Sequence, residues 1–108
     1  MLYQELSSEI IGAVITVHKE LGGGLLEFPY HNALYYECKE QGLSVRYNAP
    51  FPVFYKGKQV GEYFADLVVG GKVIVEVKSV GKLTEVHKAQ LVNYLRIAGI
   101  RVGLLVNF

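Results

Sequence analysis

Residues 64–78 read "FADLVVGGKVIVEVK", two runs of β-branched and aromatic residues on either side of a glycine pair. This pattern predicts a β-hairpin. Side chains alternate between the two faces of a strand, so Glu76 and Lys78 share one face of the second run. A half-buried strand at the edge of a sheet would show the same alternation without any function. The charges therefore have to be interpreted with the rest of the chain.

The length of the hairpin loop decides which charges meet. A two-residue loop, 70–71, would place Asp66 and Glu76 on opposite faces of the sheet. A three-residue loop, 70–72, would pair Asp66 with Glu76 and bring Lys78 to the same face. A type I turn followed by a left-handed residue, which glycine adopts easily, gives such a loop. A site on this hairpin requires the three-residue loop.

Two opposed carboxylates need a cation. Their Cβ atoms would lie about 5 Å apart, and the charges would repel by roughly 3 kcal/mol at an effective dielectric constant near 20. Mg²⁺ or Mn²⁺ would offset this repulsion better than zinc, because the ligands are oxygens and the chain has no Cys–His cluster. Lys78 adds a positive charge. It either neutralises the carboxylates structurally or stabilises a charged phosphoryl transition state.

The whole chain has the composition of a globular protein. Its 108 residues predict one domain, 1–108, and no apolar run is long enough to cross a membrane. The start lacks the pattern of a signal peptide, and the only cysteine, Cys38, is interpreted as a packing residue, so we expect a reducing cytoplasm. Basic residues outnumber acidic ones by nine to four in 43–108 but not in 1–42. This asymmetry points weakly to a polyanionic partner.

Two helices are predicted before the hairpin. Apolar residues at helical spacing predict the first over 4–21, ended by the glycines 22–24. The second is expected to begin near Glu27 or Phe28 and to run to Gly42, because Pro29 is tolerated only in a first turn. Its buried face is predicted from four residues at intervals of four: Leu26, Tyr30, Leu34 and Cys38.

The remainder predicts strands with one further helix. Residues 43–80 indicate a three-stranded antiparallel meander, whose first strand is irregular or at an edge because of Pro50 and Pro52. Thr84 is a predicted N-cap of a third helix that ends at Gly99. The final run "IRVGLLVNF" predicts a strand. The order α, α, β, β, β, α, β gives an α/β (α+β) fold, in which the crossover helix lays the last strand parallel in a mixed sheet.

These elements carry motifs of a known family. Asp66, followed on the next strand by Glu76-x-Lys78 and then by a helix, resembles the PD-(D/E)XK nuclease superfamily, whose restriction-endonuclease-like core is αβββαβ. Ala65 stands where the superfamily name has proline. "QLVNY", with Gln90 and Tyr94, is similar to the QxxxY motif of the RecB-like branch. The stretch 24–30, "GLLEFPY", resembles the GxxExxY motif of a family of small predicted nucleases.

The resemblance implies a metal-dependent nuclease. Asp66 and Glu76 would bind Mg²⁺ or Mn²⁺ together with Glu27, and Lys78 would act in catalysis alongside the two strand carboxylates. Gln90 and Tyr94 would contact substrate. The substrate would be nucleic acid, with DNA expected, hydrolysed by a metal-activated water.

A second hypothesis is a catalytically inactive nuclease fold that binds nucleic acid or protein. Eight tyrosines and no tryptophan suit either base stacking or a subunit interface, so a homodimer or a protein partner is expected. The two hypotheses differ in whether the carboxyl groups of Asp66 and Glu76 converge beside Lys78. Among the histidines, His18 is interpreted as structural, and His31 and His87 are expected at the surface.

Overall fold

Three helices and a four-stranded sheet make up the fold. The computed structural model describes residues 2–108. The elements, in chain order, are α1 Gln4–Leu21, α2 Glu27–Glu40, β1 Val45–Tyr55, β2 Lys58–Val69, β3 Val73–Lys78, α3 Glu85–Ala98 and β4 Val102–Asn107. The strands are ordered β1-β2-β3-β4, with β4 parallel to β3 and the other neighbours antiparallel. This order and the mixed sheet confirm the predicted fold. Within residues 2–108, no helix is both long and apolar enough to span a membrane.

The β2–β3 hairpin has the three-residue loop. Val69 pairs with Val73 and Leu67 with Val75, which leaves residues 70–72 in the turn. Gly70 and Gly71 both have left-handed backbone angles, with φ of 62° and 67°, which glycine adopts without steric cost. The ladder between the two strands ends at Leu67 and Val75, one residue short of Asp66 and Glu76. The predicted register is therefore confirmed, but the two acidic residues lie just beyond the regular ladder.

Helix α2 begins where its proline requires. Glu27 is its first residue, so Pro29 falls in the first turn, where a backbone N–H has no partner inside the helix. Tyr30, Leu34 and Cys38 form its buried face. Leu26, predicted on that face, is 82% exposed because it is the N-cap residue and precedes the helix. The helix ends at Glu40, two residues before the expected Gly42.

The sheet is covered by helices on both faces. One apolar cluster joins α1 and α2 to Leu67, Val75 and Val77. The other joins α3, through Leu91, to Val68 and Ile74. Glu76 and Lys78 alternate with the valines of β3 and therefore lie on the α3 face. Glu76 is only 7% exposed, so its carboxylate belongs to a buried part of that face.

Strand β1 is an edge strand, as its two prolines predicted. It pairs with β2 over almost its full length, out to Tyr55 opposite Lys58, whereas β3 pairs only with Leu67–Val69 of β2. The outer part of the β1–β2 hairpin therefore projects past β3. This projection forms one wall of a groove whose other wall is α3.

Gly103 on β4 allows α3 to lie close to the sheet. A Cβ atom at this position would stand 3.0 Å from Cδ1 of Leu91 and 3.1 Å from Cδ2 of Leu95. Gly103→Val is therefore expected to lower the free energy of unfolding by about 1–3 kcal/mol through overpacking. Urea unfolding followed by circular dichroism measures the change.

A glycine with free space around it provides the control. Gly12 lies in α1, and a Cβ atom there would meet nothing within 4 Å. Gly12→Ala is expected to leave stability unchanged or to raise it by up to about 1 kcal/mol, because alanine favours helix. A Gly103→Val variant as stable as the wild type would show that α3 does not depend on this close contact.

Candidate functional site

Two carboxylates meet where the β2–β3 ladder ends. The backbone N–H of Asp66 donates a hydrogen bond of 2.8 Å to Oε2 of Glu76. In the other direction, the backbone N–H of Val77 donates a hydrogen bond of 2.8 Å to Oδ2 of Asp66. Each carboxylate thus binds the backbone of the neighbouring strand in place of a ladder bond. The two carboxyl groups are held together at the point where the strands begin to separate.

A buried histidine fixes the backbone of Asp66 from the opposite side. His31 on α2 approaches the carbonyl oxygen of Asp66 with Nε2, at 2.9 Å. Because a carbonyl oxygen only accepts, Nε2 carries the proton. The His31 ring stacks on Tyr47, with 4.4 Å between ring centroids. The prediction of a surface histidine was wrong, since His31 is 9% exposed; it lies three residues before Leu34, on the buried face of α2.

Removing this hydrogen bond should destabilise the protein. His31→Phe keeps a flat ring against Tyr47 but leaves the Asp66 carbonyl without its donor. We expect a loss of about 1–3 kcal/mol in the free energy of unfolding, the usual cost of an unsatisfied buried polar group. Thermal and urea unfolding measure it.

Tyr47→Phe is the matched control for the histidine. It removes the 2.6 Å hydrogen bond from Tyr47 to Oδ1 of Asn32 but leaves the contact between His31 and Asp66 intact. It should cost about 1 kcal/mol, the typical net value of one hydrogen bond. Equal losses of stability in the two variants would mean that the hydrogen bond to Asp66 contributes no more than an ordinary one.

The carboxylate pair carries excess negative charge. Burial, and then the charge of Asp66, raise the pKa of Glu76 from 4.5 to about 7. The backbone N–H of Asp66, the Tyr63 hydroxyl and the Lys78 ammonium lower the pKa in part. Burial and then the Glu76 carboxylate also raise the pKa of Tyr63 and of Tyr94. A cation at this position would relieve all of these unfavourable interactions.

The hydroxyl of Tyr63 faces the carboxylate pair. It influences the pKa of Glu76, yet it makes no hydrogen bond of good geometry in the part of the chain that the structure describes, residues 2–108. Buried hydroxyl groups normally have a partner. The site therefore has a buried hydroxyl beside the carboxylates whose hydrogen-bonding capacity is not fully used.

Lys78 is a cation without a partner. It is the last residue of β3, is partly buried and lines the groove between α3 and the β1–β2 hairpin. Over residues 2–108 the structure has a single ion pair, between Lys88 and Glu85 on the surface of α3. Lys78 is thus close enough to lower the pKa of Glu76 but is not bound to it. Its ammonium remains free to interact with a ligand.

The groove also contains Gln90 and Tyr94, the two residues of the QxxxY pattern on α3. Its volume is about 540 Å³, and both Gln90 and Tyr94 line it together with Glu76 and Lys78. The Tyr94 ring stacks on Tyr63, with 3.6 Å between centroids and 17° between ring planes. Gln90 is exposed. The spacing of four residues therefore brings both side chains to the carboxylate site.

Glu27, the third predicted metal ligand, lies at the start of α2. It is exposed at the first residue of α2. No group of three or more His, Cys, Asp or Glu side chains in residues 2–108 is placed to hold a metal ion. The structure thus brings Asp66 and Glu76 together, and a metal-binding role of Glu27 stays a prediction.

Tyr30, the tyrosine of the GxxExxY pattern, has a structural position. Its hydroxyl donates to the carbonyl of Gly22 at 2.6 Å and accepts from the N–H of Leu25 at 3.2 Å. The hydroxyl of Ser79 donates to the carbonyl of Leu25 at 2.6 Å. These bonds fasten the loop before α2 to the end of β3, one residue beyond Lys78.

The two other histidines have partners on α1 and α3. His18 is exposed on α1, and its ring stacks on Phe108 at 6.3 Å. His87 completes a capping box with Thr84 at the start of α3, where its ring accepts from the Thr84 backbone N–H. Thr84 is thereby confirmed as the N-cap.

The donor set of the pair fits a hard divalent cation. Each carboxylate uses one oxygen on a backbone N–H, and its other oxygen accepts no backbone hydrogen bond in the described chain, residues 2–108. Two carboxylates completed by water and substrate phosphate are a common environment for Mg²⁺ in proteins. The raised pKa of Glu76 gives an independent reason why a cation would be favoured.

Comparison with known proteins identifies the family of the chain. A family model of the PD-(D/E)XK nuclease superfamily matches residues 4–108. A search of curated proteins and a search of solved structures gave no significant match. The match includes every helix and strand, together with the carboxylate pair and Lys78. The chain therefore belongs to the PD-(D/E)XK nuclease superfamily.

Proposed function

We propose that this protein is a divalent-metal-dependent nuclease that hydrolyses phosphodiester bonds in nucleic acid, with DNA as its substrate. One observation carries the proposal. The carboxylates of Asp66 and Glu76 bind each other's strands, while Lys78, on the same strand as Glu76, makes no ion pair with any described residue, 2–108. Membership of the nuclease superfamily supports the same conclusion.

Asp66 and Glu76 would hold the metal through the oxygens that no backbone N–H uses. Mg²⁺ or Mn²⁺ fits these ligands. When bound, the ion would supply positive charge for a phosphate oxygen and would make a water molecule more acidic. Glu27 is not needed for this arrangement.

The protein's own groups supply the remaining contributions. Lys78 would place its ammonium against the non-bridging oxygens of the scissile phosphate, where negative charge increases in the transition state. Gln90 would bind the substrate with its exposed amide, and Tyr94 would form the floor of the groove. The burial of Glu76 keeps bulk water away from the carboxylates, which strengthens each of these electrostatic interactions.

Cleavage of labelled oligonucleotides tests the proposal. Single-stranded and duplex DNA, and RNA of the same sequence, are incubated with the protein in Mg²⁺, in Mn²⁺ or in EDTA. We expect cleavage of DNA that requires the metal. Asp66→Asn is the negative control because asparagine retains an oxygen for the Val77 N–H, so the strands can remain bound while one anionic ligand is lost.

A second variant shows whether any loss of cleavage is specific to the carboxylate pair. Glu40 is exposed at the last residue of α2 and does not line the groove, so Glu40→Gln should cleave like the wild type. Wild-type protein that binds DNA but cleaves none of the substrates in either metal would refute the proposed nuclease activity. It would support the inactive binding module instead.

A further inference from the structure

The groove beside the carboxylate pair has apolar walls that face solvent. Phe64 on β2 is 52% exposed, Val60 on the same strand is 63% exposed and Ile97 on α3 is 37% exposed. All three line the groove. Large apolar side chains that remain exposed around a concave site mark a surface that binds a partially apolar ligand.

The charges of the groove do not suit a duplex. Among the described residues that line it, Lys78 is the only basic one, and Glu62 and Glu76 are acidic. Proteins that bind duplex DNA obtain most of their affinity from several Lys and Arg contacts to phosphates. This groove has one such contact to offer, next to the site where a phosphate would react.

The aromatic residues of the groove suit an unpaired base. The stacked rings of Tyr63 and Tyr94 form a floor next to Glu76. Phe64 follows Tyr63 on β2, so its side chain leaves the strand on the opposite side and belongs to the exposed rim of the groove rather than to its floor. Stacking of a base on an aromatic side chain contributes about 1–3 kcal/mol per base and needs no sequence match. In a duplex both faces of a base are covered by its neighbours, so only an unpaired base can stack on Phe64.

We propose that the groove binds single-stranded nucleic acid, with a base next to the scissile phosphate stacked on Phe64 and the phosphate held at Lys78. The proposal rests on the nuclease function and narrows its substrate class to strands with unpaired nucleotides. The phosphate contact positions the strand at the carboxylates, and the stacking contact selects against paired bases.

Binding without cleavage tests the substrate class. The Asp66→Asn variant is titrated against a fluorescein-labelled 12-nucleotide DNA strand and against the duplex of the same sequence, with fluorescence anisotropy as the readout. We expect the single strand to bind at least tenfold more tightly. Its affinity should fall only slightly with added salt, because few phosphates are neutralised.

Phe64→Ala in the same background isolates the stacking contact. Loss of one stacked base should weaken single-strand binding about tenfold. Phe54→Ala is the matched control, because Phe54 lies on the same hairpin, is 61% exposed and does not line this groove. It should bind like the parent variant.

The outcomes separate this proposal from the nuclease function. Equal or tighter binding of the duplex, or an unchanged affinity after Phe64→Ala, would overturn the substrate class. Wild-type protein that cleaves duplex at least as fast as single strand would also overturn it while supporting a nuclease. If the wild type bound single strands in a Phe64-dependent way but cleaved none, single-strand binding in the groove would be supported and the nuclease activity would be rejected.

Discussion

Lys78→Met is expected to lower the rate of phosphodiester hydrolysis by about 10²–10³-fold, the usual cost of removing one group that stabilises transition-state charge. Methionine preserves most of the length of the side chain and removes its ammonium. Lys78 makes no ion pair within residues 2–108, so the fold should not depend on its charge. The loss should therefore lie in the chemical step rather than in stability.

Single-turnover cleavage in saturating Mg²⁺ measures this effect directly. Lys82→Met is the matched control, because Lys82 is exposed in the loop after β3 and does not line the groove. It should cleave at the wild-type rate. A Lys78→Met variant that keeps the wild-type rate would show that Lys78 serves only to neutralise the carboxylate pair.

Glu76→Gln is expected to abolish cleavage and to make the metal-free protein more stable at neutral and alkaline pH. Burial and the Asp66 charge raise the pKa of Glu76 to about 7 in the folded protein, against 4.5 for the ordinary group. The folded protein therefore holds this proton more tightly than the unfolded chain. The stabilisation of the folded state by this proton is complete below pH 4.5 and is lost as the pH rises through 7. This shift in pKa corresponds to about 3 kcal/mol in the free energy of unfolding.

Urea unfolding between pH 4.5 and 8.5 in EDTA measures the dependence. The difference in stability between the glutamine variant and the wild type should increase by about 2–3 kcal/mol over this range. Glutamine keeps an oxygen that accepts from the Asp66 N–H, so the strands remain connected. Glu62→Gln, an exposed substitution, should follow the wild-type profile. A constant difference between Glu76→Gln and wild type would mean that Glu76 is not protonated preferentially in the folded state.

The same two proteins report on metal binding without an activity assay. At pH 8, Mn²⁺ at 100 times its dissociation constant should stabilise the wild type by about 2.7 kcal/mol, because only the folded state holds both ligands. The glutamine variant should gain much less. Equal stabilisation of both would place the ion elsewhere.

The sequence predicted the order of the elements and the register of the hairpin. Both follow from local rules: the period of apolar residues, the prolines of an edge strand, and the parity that a Gly-Gly-Lys loop imposes on Asp66 and Glu76. Parity shows that the two residues share a face. It does not show that their carboxylates replace hydrogen bonds of the ladder, because that depends on where the strands separate.

Contacts between distant elements were beyond sequence reasoning. His31 lies 35 residues from Asp66, and only the way α2 packs on the sheet brings them together. Leu26 continued the spacing of Tyr30 and Leu34 but precedes the helix, so its side chain points to solvent. The motif around Glu27 was recognisable, whereas the bonds by which Tyr30 and Ser79 fasten the loop before it were not.

The bonds between each carboxylate and the opposite strand affect how this site would decay in evolution. A descendant that no longer cleaved nucleic acid would still need oxygen atoms at positions 66 and 76, because their loss would leave two backbone N–H groups without acceptors. The side chain of Lys78 makes no comparable bond to any of residues 2–108. Selection for folding alone would preserve the acidic residues or their amides and would let the lysine drift. In a set of homologues, the lysine is therefore a better marker of catalytically active proteins than the acidic residues are.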